Sequence, residues 1–170
     1  MSSVPSEFEA FAGAFQFAYV ARDVRRAARA FEARYGPVPF QFHEVTVACR
    51  TQPATCSLRV GIAWIADKQI ELIEPVAGAI ELYVRALPAH GDALAFHHVG
   101  VRVHGTLQEW DNWRSELLSR GERLALEGGF ADTLRFAYLD TADRLGHYIE
   151  YIWLGAVFLS EQAATAYRPH

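Results

Sequence analysis

The chain has 170 residues, 51% of them hydrophobic and 13% aromatic, enough to bury a core of ordinary size in one compact unit or two small, closely packed modules. A formal charge of −4, a pI near 6.0 and the lack of a basic stripe leave no electrostatic footprint for nucleic acid or an anionic membrane, so both are excluded as expected partners. No apolar run approaches the roughly 20 residues that span a bilayer, and MSSVPSEFEAFAGAF lacks the basic start and apolar stretch of a signal peptide, so cytoplasmic residence is expected.

Residues 1–13 read as an N-terminal arm, residues 14–88 as a first module, and residues 89–170 as a second module with a C-terminal helix. Phe15–Ala21 alternates as a strand, with Gln16, Ala18 and Val20 on one face and Phe15, Phe17 and Tyr19 on the other. Asp23 is placed to cap a helix running to about Tyr35, with Val24, Ala27, Ala28, Phe31 and Tyr35 on its apolar stripe and Gly36–Pro37 stopping it. Strands follow at Phe40–Cys49, Ser57–Ile65 and Gln69–Glu74, with Pro75 and Gly78 ending the set. Cys49 and Cys56 flank the turn-like RTQPAT; in a reducing compartment they are expected as thiols in packing roles. Ala79–Leu87 has a helical pattern, and Pro88–Asp92 reads as a linker.

The second half repeats this order. Phe96–Val103 is a strand, Thr106 caps a helix to about Arg120, and Gly121 closes it. Leu124–Glu127, Leu134–Asp140 and Tyr148–Leu154 supply three more strands, and a terminal helix from Gly155 offers Phe158 and Leu159 as cover for the sheet or a partner subunit. Gln16 and His98 occupy matching places in the two first strands, and Glu71 and Glu150 in the two fourth strands, at nearly the same offset along the chain.

Glu71 and Glu150 each sit in an I-E-x-I frame of large apolar residues, where a dry, unpaired carboxylate costs several kcal/mol and so implies solvent or a partner. Packing of the two units by pseudo-twofold symmetry brings Gln16, Glu71, His98 and Glu150 together. Carboxylate and amide oxygens with one imidazole suit a divalent Zn, Ni, Co, Mn or Fe ion, one per chain, and two glutamates neutralise its charge. Around an octahedral ion such a set leaves two adjacent positions for water or substrate.

In order along the chain, FQFAYVARD, RYGPVPF, IELIEP, FHHVG and GHYIEYIW resemble the vicinal oxygen chelate superfamily, which includes glyoxalase I, methylmalonyl-CoA epimerase, extradiol dioxygenases and bleomycin-resistance proteins. The resemblance runs from Phe15 to Leu154. It implies an α+β fold of two βαβββ modules forming a curved, cup-like mixed sheet, metal ligands on the first and fourth strands at Gln16, Glu71, His98 and Glu150, and a homodimer. The ligand set looks like that of some zinc-dependent glyoxalase I enzymes. RYGPVPF and IELIEP look more like the methylmalonyl-CoA epimerase-like branch, whose set differs at the first two positions. Gln16 stands where an extradiol dioxygenase has histidine, which demotes oxygen chemistry.

The remaining polar residues are assigned by alternation. His97 falls on the opposite face from His98 and reads as structural; Glu74 reads as a solvated strand end; Asp140 and Asp143 flank a turn without chemistry. Arg102, Arg135 and Tyr138 are candidates for holding a polar or anionic part of the substrate, and Trp64, with Phe42 and Phe136, for an apolar pocket wall. The expected reaction is an isomerase, epimerase or lyase step begun by proton abstraction beside a carbonyl, on an α-hydroxycarbonyl or a thioester, with Glu150 as first and Glu71 as second choice of base. The alternative is a metal-free binding or resistance protein that sequesters a hydrophobic ligand, followed by an extradiol-type dioxygenase. Neither glutathione nor coenzyme A recognition is marked by a motif.

Overall fold

A computed structural model describes residues 11–50, 53–91, 93–130 and 132–156. In chain order these form β1 (Ala14–Val20), α1 (Val24–Tyr35), β2 (Gln41–Cys49), β3 (Thr55–Ile65), β4 (Lys68–Gly78), α2 (Glu81–Val84), β5 (Ala95–Val103), α3 (Leu107–Ser119), β6 (Leu124–Phe130), β7 (Leu134–Leu139), α4 (Ala142–Leu145) and β8 (Tyr148–Leu154). The expected arm up to residue 10, and the terminal helix with Phe158 and Leu159, lie outside the described residues. No helix among the described residues is long and apolar enough to cross a membrane.

The strands form one mixed sheet in the order β1-β4-β3-β2-β6-β7-β8-β5, curved until it closes. Within each module the first and fourth strands pair in parallel, β1 with β4 and β5 with β8, and the modules meet where β1 and β5 pair antiparallel. The far joint is short: β2 meets β6 only at Ala48↔Gly129 and Cys49↔Gly128. A side chain at Gly128 would place its Cβ 2.5 Å from the Ala48 carbonyl oxygen of β2, so glycine there lets the two strands approach and the sheet close.

Local chemistry sets the helices. Asp23 accepts hydrogen bonds from the amides of Arg25 and Arg26 at 2.9 Å, and α1 buries Val24, Ala27, Ala28 and Phe31, whereas Tyr35, expected on the stripe, is 68% exposed at the helix end. Thr106 and Glu109 form a reciprocal capping box at the start of α3, which buries Trp110, Trp113 and Leu117 beneath it. Each helix covers the outside of its own module's sheet: α1 packs on Leu72, and α3 on Val99, Ile149 and Tyr151. A separate apolar cluster that includes Val47, Val60, Ile73 and Phe136 fills part of the interior.

Three boundaries differ from expectation. β4 passes through Pro75 to Gly78; Leu58 pairs with Pro75 and Ser57 with Ala77, leaving Val76 as a bulge. Because β1 pairs with β4 only as far as Ile73, the proline, which lacks an N–H, falls where β4 has lost that neighbour. The segment expected to be helical from Ala79 to Leu87 holds only the single α-turn of α2, continued by tight turns. β6 runs past Glu127 to Phe130, where its glycines pair with Phe136 and Arg135 of β7. Cys49 and Cys56 are free buried thiols, and burial pushes Cys56 up to about 12.

Candidate active site

At the seam between modules, Gln16 on β1, Glu71 on β4, His98 on β5 and Glu150 on β8 converge on a single atom. His98 Nε2 lies 3.1 Å from Gln16 Oε1, 3.1 Å from Glu150 Oε2 and 3.5 Å from Glu71 Oε2. The topology brings them there: parallel pairing sets Gly100 beside Glu150, and the antiparallel seam sets Gly100 opposite Gln16. A Cβ at Gly100 would lie 2.7 Å from Gln16 Cβ, so the glycine makes room for the amide.

The seam is irregular on both sides of this point. Ala14 pairs with Val101 and Gln16 with Gly100, so Phe15 is an extra residue on β1; Ala18 pairs with His98 and Tyr19 with Phe96, so His97 is an extra residue on β5. Each bulge re-aims a side chain that strict alternation sends to the outer face. Phe15 thereby lines the cavity next to Gln16. His97, expected on the far face, is instead buried against Tyr83, Tyr138 and Tyr148, with Nδ1 2.9 Å from His98 Nδ1.

The amide of Gln16 has a fixed sense, because its Nε2 donates to Gln69 Oε1 at 2.6 Å and its oxygen is left facing His98. Gln69 lies directly across the parallel pairing from Gln16, on the same strand face as Glu71. It was legible by counting back two residues from Glu71, but without the β1/β4 register nothing joins it to Gln16. Tyr83, on the one-turn α2, donates to the Tyr138 hydroxyl at 3.3 Å, and Tyr138 in turn bonds to Glu150.

Burial governs the protonation of this cluster. Burial, and then the charge of Glu150, push the Glu71 carboxyl well above its ordinary range; burial does the same to Glu150, opposed by the bond from Tyr138. Burial, with a smaller effect of His147, pulls His98 down to about 3, so its imidazole is neutral. The side chains of Glu71 and Glu150 keep 15% and 9% of their surface exposed and that of His98 none, so approach is from the carboxylate side.

These carboxylates face a cavity of about 160 Å³. Its walls are aliphatic and aromatic, among them Val45, Val47 and Val60 from the first module and Phe136, Ile152 and Leu154 from the second, with the polar groups gathered at Gln16, Gln69, Glu71, Tyr83, Tyr138 and Glu150. Of the residues expected to hold substrate, Tyr138 lines this space. Arg135 does not: Leu134, Phe136 and Tyr138 point inward, so Arg135 points outward, bonding the carbonyls of Phe130 and Leu134 and lying 3.5 Å from Asp132. Arg102 lies over the Phe15 ring at 4.5 Å, and Trp64 stacks on the same ring at 6.0 Å, so both brace Phe15 and neither forms part of the wall. Phe42 is outside, beneath Arg25, whereas Phe136 is a wall residue. Glu74 is not a solvated strand end: it accepts from the amide of Val24 at 3.0 Å and from Arg59 at 2.7 Å, tying β4 to the start of α1.

Whether the donors suit a metal is decided by chemistry and spacing. Among the described residues no group of three or more His, Cys, Asp or Glu side chains is arranged to hold a metal ion. The donors instead draw together at hydrogen-bond distances. Ligands about 2.0–2.1 Å from one ion stand about 3 Å apart when adjacent, and His98 Nε2 lies 3.1–3.5 Å from each of the three oxygens, close to that spacing. Two repelling carboxylates, a neutral imidazole and an oriented amide oxygen fit a borderline divalent cation.

No protein-family model matches the chain, and no curated protein matches its sequence. In structure it is similar to methylmalonyl-CoA epimerase from Mycobacterium tuberculosis, with a TM-score of 0.59 and 18% identity over 87% of this chain and 91% of that one. It is also similar to a variant of Streptomyces coelicolor methylmalonyl-CoA epimerase in complex with 2-nitronate-propionyl-CoA (TM-score 0.55, 16% identity, 85% and 95% covered). A hypothetical protein from Bacillus halodurans gives a TM-score of 0.54 at 13% identity, with 84% and 94% covered. The paired βαβββ order, the parallel first and fourth strands of each module and these likenesses together show that the chain has the fold of the vicinal oxygen chelate superfamily.

Proposed function

We propose that this protein is an epimerase or isomerase that moves a proton on the carbon next to a carbonyl, with one divalent Zn, Ni, Co, Mn or Fe ion held by Gln16, Glu71, His98 and Glu150. The observation that carries this reading is the approach of both glutamates, which line an apolar cavity, to one neutral imidazole nitrogen. An ion bound there would supply Lewis acidity to a substrate carbonyl oxygen as negative charge develops on it.

Glu150 is the base. As a carboxylate that can loosen from the ion it is able to take the proton, and its bond from Tyr138 steers it and links it to Tyr83. Glu71, beside it and more exposed, is the second proton-handling group. Gln16, turned by Gln69, presents oxygen only. The aliphatic walls exclude water and accept an acyl chain.

Acyl-CoA thioesters are the first substrate class to screen, because the similar structures include an epimerase bound to 2-nitronate-propionyl-CoA, and α-hydroxycarbonyls are the second. The direct experiment is deuterium wash-in. Protein loaded with each metal is incubated in deuterated buffer with a panel of both classes, and exchange at the α-carbon is followed by mass spectrometry. Exchange is expected in the wild type and lost in Glu150→Gln. If no substrate exchanges above buffer with any metal, the proposal fails.

The aliphatic cavity also favours a second reading, a metal-free protein that sequesters a hydrophobic ligand. Binding of apolar ligands that is unchanged in His98→Ala and insensitive to metal supports it over the enzyme.

A further inference from the structure

The cavity has two chemically different sides, and the strand order separates them. Its polar lining comes from β1, β4, β7, β8 and the one-turn α2, as Gln16, Gln69, Glu71, Tyr83, Tyr138 and Glu150. Every lining residue supplied by β2, β3 and β6 is apolar: Val45, Val47, Leu58, Val60, Ile62 and Phe130. The joint where β2 meets β6 lies across the closed sheet from the β1/β5 seam, so a group reacting at the seam has an apolar wall facing it.

That wall also lacks positive charge. Among the described residues that line the cavity there is no Lys, Arg or His, and the ionisable groups are two glutamates and two tyrosines. Arg135 points outward and bonds the carbonyls of Phe130 and Leu134, and Arg102 rests on the Phe15 ring without lining the space. A divalent ion at the seam would have its charge matched by Glu71 and Glu150, so it would offer no net attraction to a second carboxylate. A carboxylate moved against the apolar wall gives up its hydration and gains no partner. The size of the space sets a length as well. A dry cavity of about 150 Å³ lined by Leu, Ile and Phe holds a benzene ring, so a space of about 160 Å³ takes a chain of about six carbons.

We infer that the group carried on the reacting carbon is an uncharged hydrocarbon chain of up to about six carbons, lying against β2, β3 and β6, and that a chain ending in a carboxylate is refused. This specificity rests on the proton-transfer reaction proposed above, whereas the preference of the cavity for an uncharged chain can be read without it.

The test uses metal-loaded protein and two matched series of acyl thioesters: 2-methylacyl groups lengthened one methylene at a time, and the same groups ending in a carboxylate. A carboxylate at the far end of the chain scarcely alters the acidity of the α-carbon, so a difference between the series reports the cavity. Deuterium uptake at the α-carbon is expected to rise about fourfold in kcat/KM per methylene and to stop rising at about six carbons. The carboxylated series is expected to be slower by about a hundredfold or more. Equal rates in the two series, or rates indifferent to chain length, overturn the inference. Val45→Lys sets an ammonium at a half-buried wall position on β2 and is expected to narrow the gap between the series about tenfold. A gap that does not move also overturns the inference; should that variant not fold, the wild-type series decide by themselves. Should no thioester exchange at all, the proposed reaction fails, and calorimetric titration of metal-free protein with unreactive N-methyl amides of the same acids decides the inference separately. Affinity that grows with chain length for the uncharged amides and is lost in the carboxylated ones supports it. The reverse order, or no binding by either series, overturns it.

Discussion

Gln16 donates its side-chain amide to Gln69 across the β1/β4 pairing at 2.6 Å, and this bond determines which end of Gln16 faces His98. With Gln69 replaced by leucine, the Gln16 NH₂ loses its acceptor in a place only 4% exposed. An unsatisfied buried donor costs about 1–3 kcal/mol, and the amide can regain a partner by turning over toward the glutamates. Gln69→Leu is therefore expected to destabilise the protein by about that amount in urea denaturation and, through misplacement of a ligand by its outer partner, to weaken zinc binding about tenfold or more. Unaltered affinity with altered stability would show that Gln16 is not a ligand.

The glutamate pair makes the metal-free protein sensitive to alkali. Both carboxyls are raised in the folded chain above the ordinary 4.5, so the stability they contribute is complete below that value and is lost as pH rises through their folded values. His97 and His98 act in the opposite sense. Lowered to about 3 from 6.5, they contribute stability above pH 6.5 that is lost on acidification. From about pH 6.5 the two glutamates outweigh the fading contribution of the histidines, which is spent by about pH 7.5, so the melting temperature of the metal-free protein is expected to fall between about pH 6.5 and 8.5. Saturating zinc, whose binding tightens as protons leave, is expected to cancel or reverse the slope. Glu71→Gln removes one of the repelling charges and should flatten it without metal. A melting temperature that climbs with pH in the metal-free wild type contradicts this account.

Tyr138 is the outer handle on the proposed base. Its hydroxyl bond favours the charged form of Glu150, so Tyr138→Phe leaves that carboxylate with a still higher proton affinity and one fewer restraint. A hydrogen bond to a charged group is worth about 1.5–3 kcal/mol, so a loss of about ten- to a hundredfold in turnover is expected, with the rising limb of the pH–rate profile moved to higher pH. A drop in rate with the limb unmoved would assign Tyr138 to substrate contact instead.

Much of this could be anticipated from residue order alone, and the parts that could not share a cause. Asp23, Thr106 and the glycines after α1 and α3 act within a few residues of themselves, so the helices were readable locally. The convergence of Gln16, Glu71, His98 and Glu150 followed from the repeat, because two copies of one strand order imply two copies of one strand position. Phe15 and His97 were assigned to the wrong faces because a bulge is a property of two paired strands, and neither strand carries it alone. Arg135 looked like a substrate ligand because only the paired sheet shows that Leu134, Phe136 and Tyr138 claim the inner face. Glu74 looked solvated because Arg59 and Val24, its partners, are remote in sequence.

Gly100 offers the sharpest test of how closely the modules must meet. An added Cβ would lie 2.7 Å from Gln16 Cβ and closer still to the amide oxygen, and it is the backbone of the β1/β5 seam that holds the two residues opposite one another. Gln16 can escape only by leaving His98 and its bond to Gln69, because β1 is held on its other side by parallel pairing to β4. Gly100→Ala is thus expected to act as overpacking, with a cost of about 1–3 kcal/mol, and to lower zinc affinity together with stability. The double variant Gly100→Ala with Gln16→Ala should regain stability, since the smaller side chain removes the clash, but not affinity, since the amide oxygen is gone. Thermal unfolding and zinc titration on the four proteins of this cycle measure the coupling, and strict additivity of the two substitutions would mean that the residues do not press on each other across the seam.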